Sequence, residues 1–162
     1  MGDKMKTRPW KQYAFWILLS EAVGLLSGWL TREGVQIYAE TVAKPALTPP
    51  GIVFPIVWTI LYALMGIGAA RVALTPPSED RSNALLLFWV QLAFNFLWST
   101  IFFTYQAFGA ALIWLVILWV LILLMIFAFR RVDPVAAKLQ IPYLVWVTFA
   151  VYLNAGVWLL NR

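Results

Sequence analysis

The sequence predicts an all-α integral membrane protein, a bundle of five transmembrane helices. Three observations carry that prediction. Of 162 residues, 63% are apolar and only 12% charged, whereas a soluble domain carries roughly 25% charged residues. The charges fall in short clusters. The uncharged runs between them have about the length of ~20 residues that a helix needs to cross a hydrocarbon core. Finally, the basic residues crowd one side of the implied topology, as membrane proteins require.

The elements follow in order. Residues 1–11 form a basic arm with Lys4, Lys6, Arg8 and Lys11, and no small-x-small cleavage site marks it as a signal peptide. The first span covers about residues 12–31, interrupted by one acid, Glu21. Gly24 and Gly28 make a small-xxx-small pair that allows close approach of another helix. Residues 32–48 form a loop, with a short helix at about 34–42, that becomes the lid of a ligand pocket. The second span is about 49–72, with Thr48 as N-cap and Pro49 and Pro50 in its first turn. Lys44 is the last charge before Arg71.

Leu74 to Asp80 is a turn, with Ser78 as N-cap and Glu79 and Asp80 placed to complement the next helix dipole. After Arg81 no charge occurs until Arg130, too long a run for one span, so a hairpin near 104–109 divides it. The third and fourth spans are about 80–104 and 107–130. Asp133 caps the fifth, about 134–161, which Pro134 starts and Pro142 kinks. Nine Lys and Arg then lie on the side of the N-terminus and three on the other. In a bacterial inner membrane that puts the N-terminus in the cytoplasm and the C-terminus and lid outside.

Composition narrows the chemistry. The chain has no His and no Cys. This excludes disulfides, thiolate nucleophiles and the ordinary zinc ligands, and leaves only Met or Tyr for axial ligation of haem. The formal net charge of +5 lies beside apolar runs and predicts no nucleic-acid partner. Ten Trp exceed what two interfacial belts on a small bundle need.

Three helix faces stand out. Gln91, Asn95 and Ser99 recur at four-residue spacing, with Trp98 beside them. Trp146, Ala150, Asn154 and Trp158 do the same on the last span, and Pro55, Trp58, Tyr62, Gly66 and Ala69 share a face of the second. Aromatic walls with few polar groups suit a small-molecule pocket. Such residues equally serve as packing and as interhelical hydrogen bonds, and periodicity alone leaves both readings open. Glu21 fits either a proton-relay carboxylate or a bond to a neighbouring helix. A transporter would show interrupted helices and an internal repeat, and only Pro142 points that way.

Three motifs carry a resemblance. Lys44-Pro45-x3-Pro49-Pro50-x3-Phe54-Pro55-x2-Trp58-x2-Leu61-Tyr62-x2-Met65-Gly66 is similar to the signature of the translocator protein family, also called tryptophan-rich sensory proteins or peripheral-type benzodiazepine receptors. So are Gln91-Leu-x2-Asn95-x2-Trp98-Ser99-x2-Phe102-Phe103 and Pro142-Tyr143-x2-Trp146-x2-Phe149-Ala150-x2-Leu153-Asn154, in order and spacing, across about residues 36–160. The resemblance implies a five-helix bundle that forms a homodimer in the lipid bilayer. It implies a pocket beneath the first loop for protoporphyrin IX, with no covalently bound cofactor. Isoquinoline-carboxamide and benzodiazepine drugs, and sterols in some members, bind there too. Carried over by position, the ligand contacts are Tyr38, Leu47 and Pro50 of the lid region, Trp58 and Tyr62, then Asn95, Trp98 and Ser99, and finally Trp146, Ala150 and Asn154. Some bacterial members degrade protoporphyrin in light, and the tryptophans implicated correspond to Trp58 and Trp146, the candidate catalytic pair. Lys44 and Arg32 lie on the lid side, where they can meet propionates or remain solvated loop charges. The chain departs from the family at Ile37 and Leu47, where Trp is usual. It also lacks a basic residue close after Tyr152, which weakens the C-terminal sterol motif.

Overall fold

The computed structural model describes residues 8–162, so most of the basic arm lies outside the described residues. Helix α1 (Pro9–Leu30) is followed by a short α2 (Arg32–Thr41), then α3 (Val53–Ala73) and α4 (Glu79–Ser99). A π-helical turn, Thr100–Thr104, continues α4. Helices α5 (Phe108–Val132), α6 (Pro134–Leu139) and α7 (Ile141–Asn161) complete the chain. Taking α4 with its π turn, and α6 with α7, five helical segments are long and apolar enough to cross a membrane. All-helical membrane architecture is therefore the fold, because a helix satisfies its own backbone donors and acceptors where no water can.

The spans close into a ring. Helix α1 packs on α3 and α4, α4 on α5, α5 on α6 and α7, and α6 back on α3. Small residues set the tightest contacts. At Gly66 a Cβ would overlap backbone atoms of Ile17 and Trp16, and at Gly24 it would overlap the Tyr62 ring, so α1 and α3 meet at glycine on both sides. Gly28, expected to share the close approach, has open space where its Cβ would stand. Inside the ring Met65, Phe88, Met125, Phe129, Tyr143 and Val147 are fully buried. Phe94 stacks on Trp114 at 4.3 Å, and the Trp114 Nε1 donates to the Phe94 carbonyl at 2.9 Å, fixing α5 on α4. The many exposed Leu, Ile and Val side chains form the outer surface of the ring, as a lipid-facing surface demands.

Two caps form as expected. Ser78 Oγ accepts from the Arg81 N–H at 3.0 Å. Asp133 accepts from the N–H groups of Val135 and Ala136 at the start of α6. The same carboxylate pairs with Arg71 Nε at 2.9 Å and so ties the α5–α6 turn to α3. Asn is as good an N-cap as Asp. Asp133→Asn should therefore keep the cap and lose only the ion pair, whereas Asp133→Ala should cost about 1 kcal/mol more. Thermal unfolding of the two variants in one detergent checks this ordering.

The start of α3 corrects an expectation. The helix begins at Val53 rather than at residue 49, and Thr48 does not cap it. Thr48 Oγ1 instead donates to the Pro45 carbonyl at 2.7 Å. Consecutive prolines explain the delay: Pro50 disfavours helical geometry at Pro49, and a further turn through Gly51 and Ile52 intervenes. The fifth span breaks at Gln140, two residues before Pro142. Gln140 is fully buried, and its Nε2 donates to the Leu64 carbonyl on α3 at 3.1 Å. Gly68 makes room for it, since a Cβ there would collide with the Gln140 amide.

Candidate functional site

Above the Gln140 break, α7 and α3 stand further apart than α6 and α3. Aromatic side chains occupy the gap. Successive turns of α3 present Phe54, Trp58 and Tyr62, and α7 presents Tyr143 and Trp146. The helices run antiparallel, so the rows pair in opposite order. Phe54 meets Trp146 edge-on at 5.9 Å, and Trp58 meets Tyr143 at 6.2 Å. Trp58 also lies 5.6 Å from Tyr62.

A buried chain of hydrogen bonds backs this aromatic wall. Tyr62 OH donates to Asn95 Oδ1 at 2.6 Å, and Asn95 Nδ2 donates to the Tyr143 hydroxyl at 2.8 Å. Tyr143 OH donates in turn to Gln91 Oε1 at 2.8 Å. The donors all point the same way along the chain, an arrangement in which each bond polarises the next. It crosslinks α3, α4 and α7 at membrane depth and fixes both tyrosine rings. Tyr143 and Gln91 were not among the expected contacts. The signal for Tyr143 was its place three residues before Trp146, on the same helix face.

The indole N–H groups divide into two classes. Those of Trp16, Trp98, Trp114 and Trp119 have acceptors within the chain. The exposed Trp10, Trp29, Trp89 and Trp158 have none among the described residues, and neither do Trp58 and Trp146, which are partly buried. Neither Nε1 is sealed inside the bundle, so each can donate to a group that enters beside it. Two unpartnered donors at one aromatic gap can hold an oxygen or nitrogen acceptor on a flat apolar molecule.

The remaining expected residues distribute as follows. Trp98 stacks on Phe102 at 5.0 Å and donates to Asn154 Oδ1 at 3.1 Å, while Asn154 Nδ2 donates to the Phe108 carbonyl at 2.9 Å. Trp98 and Asn154 thus join α4, α5 and α7 with all three polar groups paired. Tyr38 packs on Phe102 and Phe103 in a second aromatic cluster beneath α2, and burial pushes its phenol above the usual range. Ser99 is partly buried in the last turn of α4, and Ala150 is partly buried against the main core. Leu47 and Pro50 lie on the outside of the lid, Leu47 at 79% exposure and in a left-handed backbone conformation (φ 69°).

The lid is held to α7 by its backbone. Asn161 accepts from the Ala43 N–H at 3.1 Å and donates to the Ala43 carbonyl at 2.8 Å. Tyr152 OH donates to the Ala46 carbonyl at 2.8 Å, and the Pro45 ring sits on Gly156, where a Cβ would overlap it. Lys44 Nζ donates to the carbonyls of Tyr38, Ala39 and Val42 at 2.9–3.2 Å. That makes it a cap for the C-terminus of α2, where dipole and orphan carbonyls favour a cation. Arg32 folds back over Trp29 and donates to its carbonyl. Lys44 therefore has all three donors taken, while Arg32 is exposed and has one guanidinium N–H bonded.

Beside the aromatic gap, an apolar groove of about 430 Å³ opens sideways between α3 and α7, and Trp146 lines both. A smaller groove of about 330 Å³ lies between α1 and α4, beside Val23 and Trp89.

Comparison with known proteins places these features in a family. The model of the TspO/MBR family matches residues 16–159, which adds the greater part of α1 to the three motifs. The chain is 41% identical over 149 residues to the tryptophan-rich protein TspO of Chlorobaculum tepidum, covering 91% of this chain and 94% of that one. It is 40% identical over 118 residues to the tryptophan-rich sensory protein of Cereibacter sphaeroides, 73% of each chain. Against the human translocator protein the identity is 35% over 154 residues, 93% of this chain and 90% of the relative. With the family model matched over most of its length and relatives of this identity aligned nearly end to end, the chain is a membrane protein of the TspO/MBR family.

Proposed function

We propose that this protein is a membrane tetrapyrrole-binding sensor whose ligand is protoporphyrin IX, held between α3 and α7 beneath the lid. The observation that carries the reading is the pair Trp58 and Trp146. Their rings line one gap and their indole N–H groups have no acceptor among the described residues. A porphyrin offers a flat apolar ring to stack on them and peripheral carboxylate oxygens as acceptors. The groove beside the gap falls within the roughly 300–1,000 Å³ of small-molecule sites. The same chemistry admits isoquinoline-carboxamide and benzodiazepine drugs, which are apolar aromatics carrying an amide carbonyl. Sterols fit less well, since a saturated ring system gives up stacking. A homodimer in a bacterial inner membrane, N-terminus in the cytoplasm and lid outside, completes the reading. Its support is the family resemblance and the distribution of basic residues.

Titration of protoporphyrin IX into the purified protein tests it. Tryptophan emission should be quenched saturably at one ligand per chain, and a drug-like aromatic amide should compete. Quenching that grows linearly with porphyrin, without saturation, would contradict the reading.

A second reading, light-dependent oxidation of the bound porphyrin by dioxygen, draws on one observation. Trp58 touches two further oxidisable rings, Tyr62 and Tyr143, so a tryptophan oxidised beside the ligand has neighbours that can return an electron. Illumination of the complex should then yield a product spectrum absent with free porphyrin. Transport has less support: the Gln140 break in the fifth span is filled by the Gln140 side chain, which is bonded to α3.

A further inference from the structure

We infer that the ligand reaches the Trp58–Trp146 gap sideways from the bilayer, through the groove between α3 and α7, while the lid stays shut. The inference rests on the binding site proposed above and concerns its access route.

Three features of the architecture point to it. The first is how the gap arises. On the inner half of the bundle the fifth span is fastened to α3, by Arg71 to Asp133 and by Gln140 Nε2 to the Leu64 carbonyl. Beyond that point no hydrogen bond joins α3 directly to α7 among the described residues. Apolar contacts bridge the two helices there, among them the edge-on ring pairs Phe54 with Trp146 and Trp58 with Tyr143. The break at Gln140 therefore leaves a seam that is bonded at its inner end, spanned by the lid at its outer end, and without a direct α3–α7 hydrogen bond between them among the described residues.

The second feature is the seam's surface. Its walls are Val57 and Ile60 on one side and Val145, Trp146 and Phe149 on the other. Pro142, at the inner end of α7, has no N–H to desolvate. Separating these walls exchanges side-chain contacts for contacts with lipid or ligand of equal apolarity, and no hydrogen bond is lost.

The third feature is the alternative route. Entry from above must free the lid from Asn161, Tyr152 and the Pro45 seat on Gly156. Each of those bonds must be exchanged for water before any ligand contact forms. A flat, apolar porphyrin that partitions into the bilayer is delivered to the seam directly. Trp146, which belongs to both groove and gap, is the side chain it must pass, and rotation of that ring off Phe54 opens the way.

The chain has no Cys, so paired cysteines can be introduced cleanly. One variant carries Ile60→Cys with Val145→Cys across the seam. A second carries Ala43→Cys with Asn161→Cys across the lid. Each is bridged with a short, reducible bis-thiosulfonate reagent in liposomes loaded with protoporphyrin IX, and the rate of tryptophan quenching is followed. Bridging the seam should slow loading by about tenfold or more, because a gate that cannot open limits the rate, with recovery on reduction. Bridging the lid should change the rate less than about twofold. Protein loaded first and then bridged at the seam should keep its porphyrin and release it slowly, showing the site intact. A lid bridge that blocks loading, or a seam bridge that does not, overturns the inference and leaves the binding site standing. Absence of saturable quenching in both unbridged variants would instead remove the site itself.

Discussion

Replacing Trp58 and Trp146 together by phenylalanine is expected to weaken protoporphyrin IX binding by roughly 100-fold while leaving thermal stability nearly unchanged. Phenylalanine keeps an aromatic ring at each position and removes the indole N–H. Two hydrogen bonds from neutral donors, at about 1–1.5 kcal/mol each, account for that factor. Stability should hold because neither N–H has a protein acceptor to abandon. Porphyrin absorbance is the readout, since the substitutions remove two of the ten tryptophans and so change the emission themselves. Trp98→Phe supplies the contrast. Its indole satisfies Asn154, a side chain at 1% exposure, so its loss leaves a buried oxygen unpaired. That should cost about 1–3 kcal/mol of stability with little direct effect on affinity. If Trp98→Phe lowers affinity as far as the double variant, the ligand lies in the second aromatic cluster instead.

The largest effect on the fold is expected from Gly66→Val. The added atoms would overlap the backbone of α1 at Ile17 and Trp16, and no rotamer change can relieve a clash with backbone. The two helices must separate, and the Gly24–Tyr62 contact opens with them. A loss of about 3 kcal/mol or more follows, enough to show as aggregation on size-exclusion chromatography in mild detergent. Because Tyr62 leads the chain through Asn95 to Tyr143, the damage should spread to the aromatic gap, and any protein that survives should bind porphyrin poorly. Gly28→Val should be close to neutral, since nothing stands within 4 Å of that position. Equal damage from both variants would mean that α1 is held by something other than its glycine contacts.

The contrast between these two glycines shows where the sequence was legible. Spacing placed both on α1 and suggested close approach, but not which of them meets a neighbour. That depends on the rotation of α1 about its own axis, and a helix apolar on nearly every side carries little periodic signal to set it. The five spans themselves were legible because hydrocarbon demands about 20 apolar residues in a row, and charges bounded all of them except at the uncharged hairpin between the third and fourth. Ser78 and Asp133 were legible as caps because their chemistry is local. Thr48 misled because the prolines after it suit a first helical turn in general, while here they prolong the loop to Val53.

The site was partly legible for the same reason. Four-residue spacing put Trp58 with Tyr62 and Trp146 with Ala150, and it marked Asn95 as an inward polar group. Long-range partners were invisible to it. Nothing in the spacing said that Trp98 would bond Asn154 while Trp58 and Trp146 found no acceptor, or that Tyr143 would close the chain from Asn95 to Gln91. Lys44 shows the limit from the other direction. As a lone basic residue on the ligand side it invites assignment to a propionate, yet three backbone carbonyls at the end of α2 take all of its donors.

The measurement that tests the account most directly is a structure of the protein with protoporphyrin IX bound in a bilayer mimic. The macrocycle should lie between α3 and α7, against Trp58 and Trp146, with an oxygen or nitrogen of the ligand within hydrogen-bonding reach of at least one of their Nε1 atoms. The chain from Tyr62 to Gln91 should remain intact behind it. A macrocycle seated in the groove between α1 and α4 beside Val23 and Trp89, or outside the closed lid, would contradict the account.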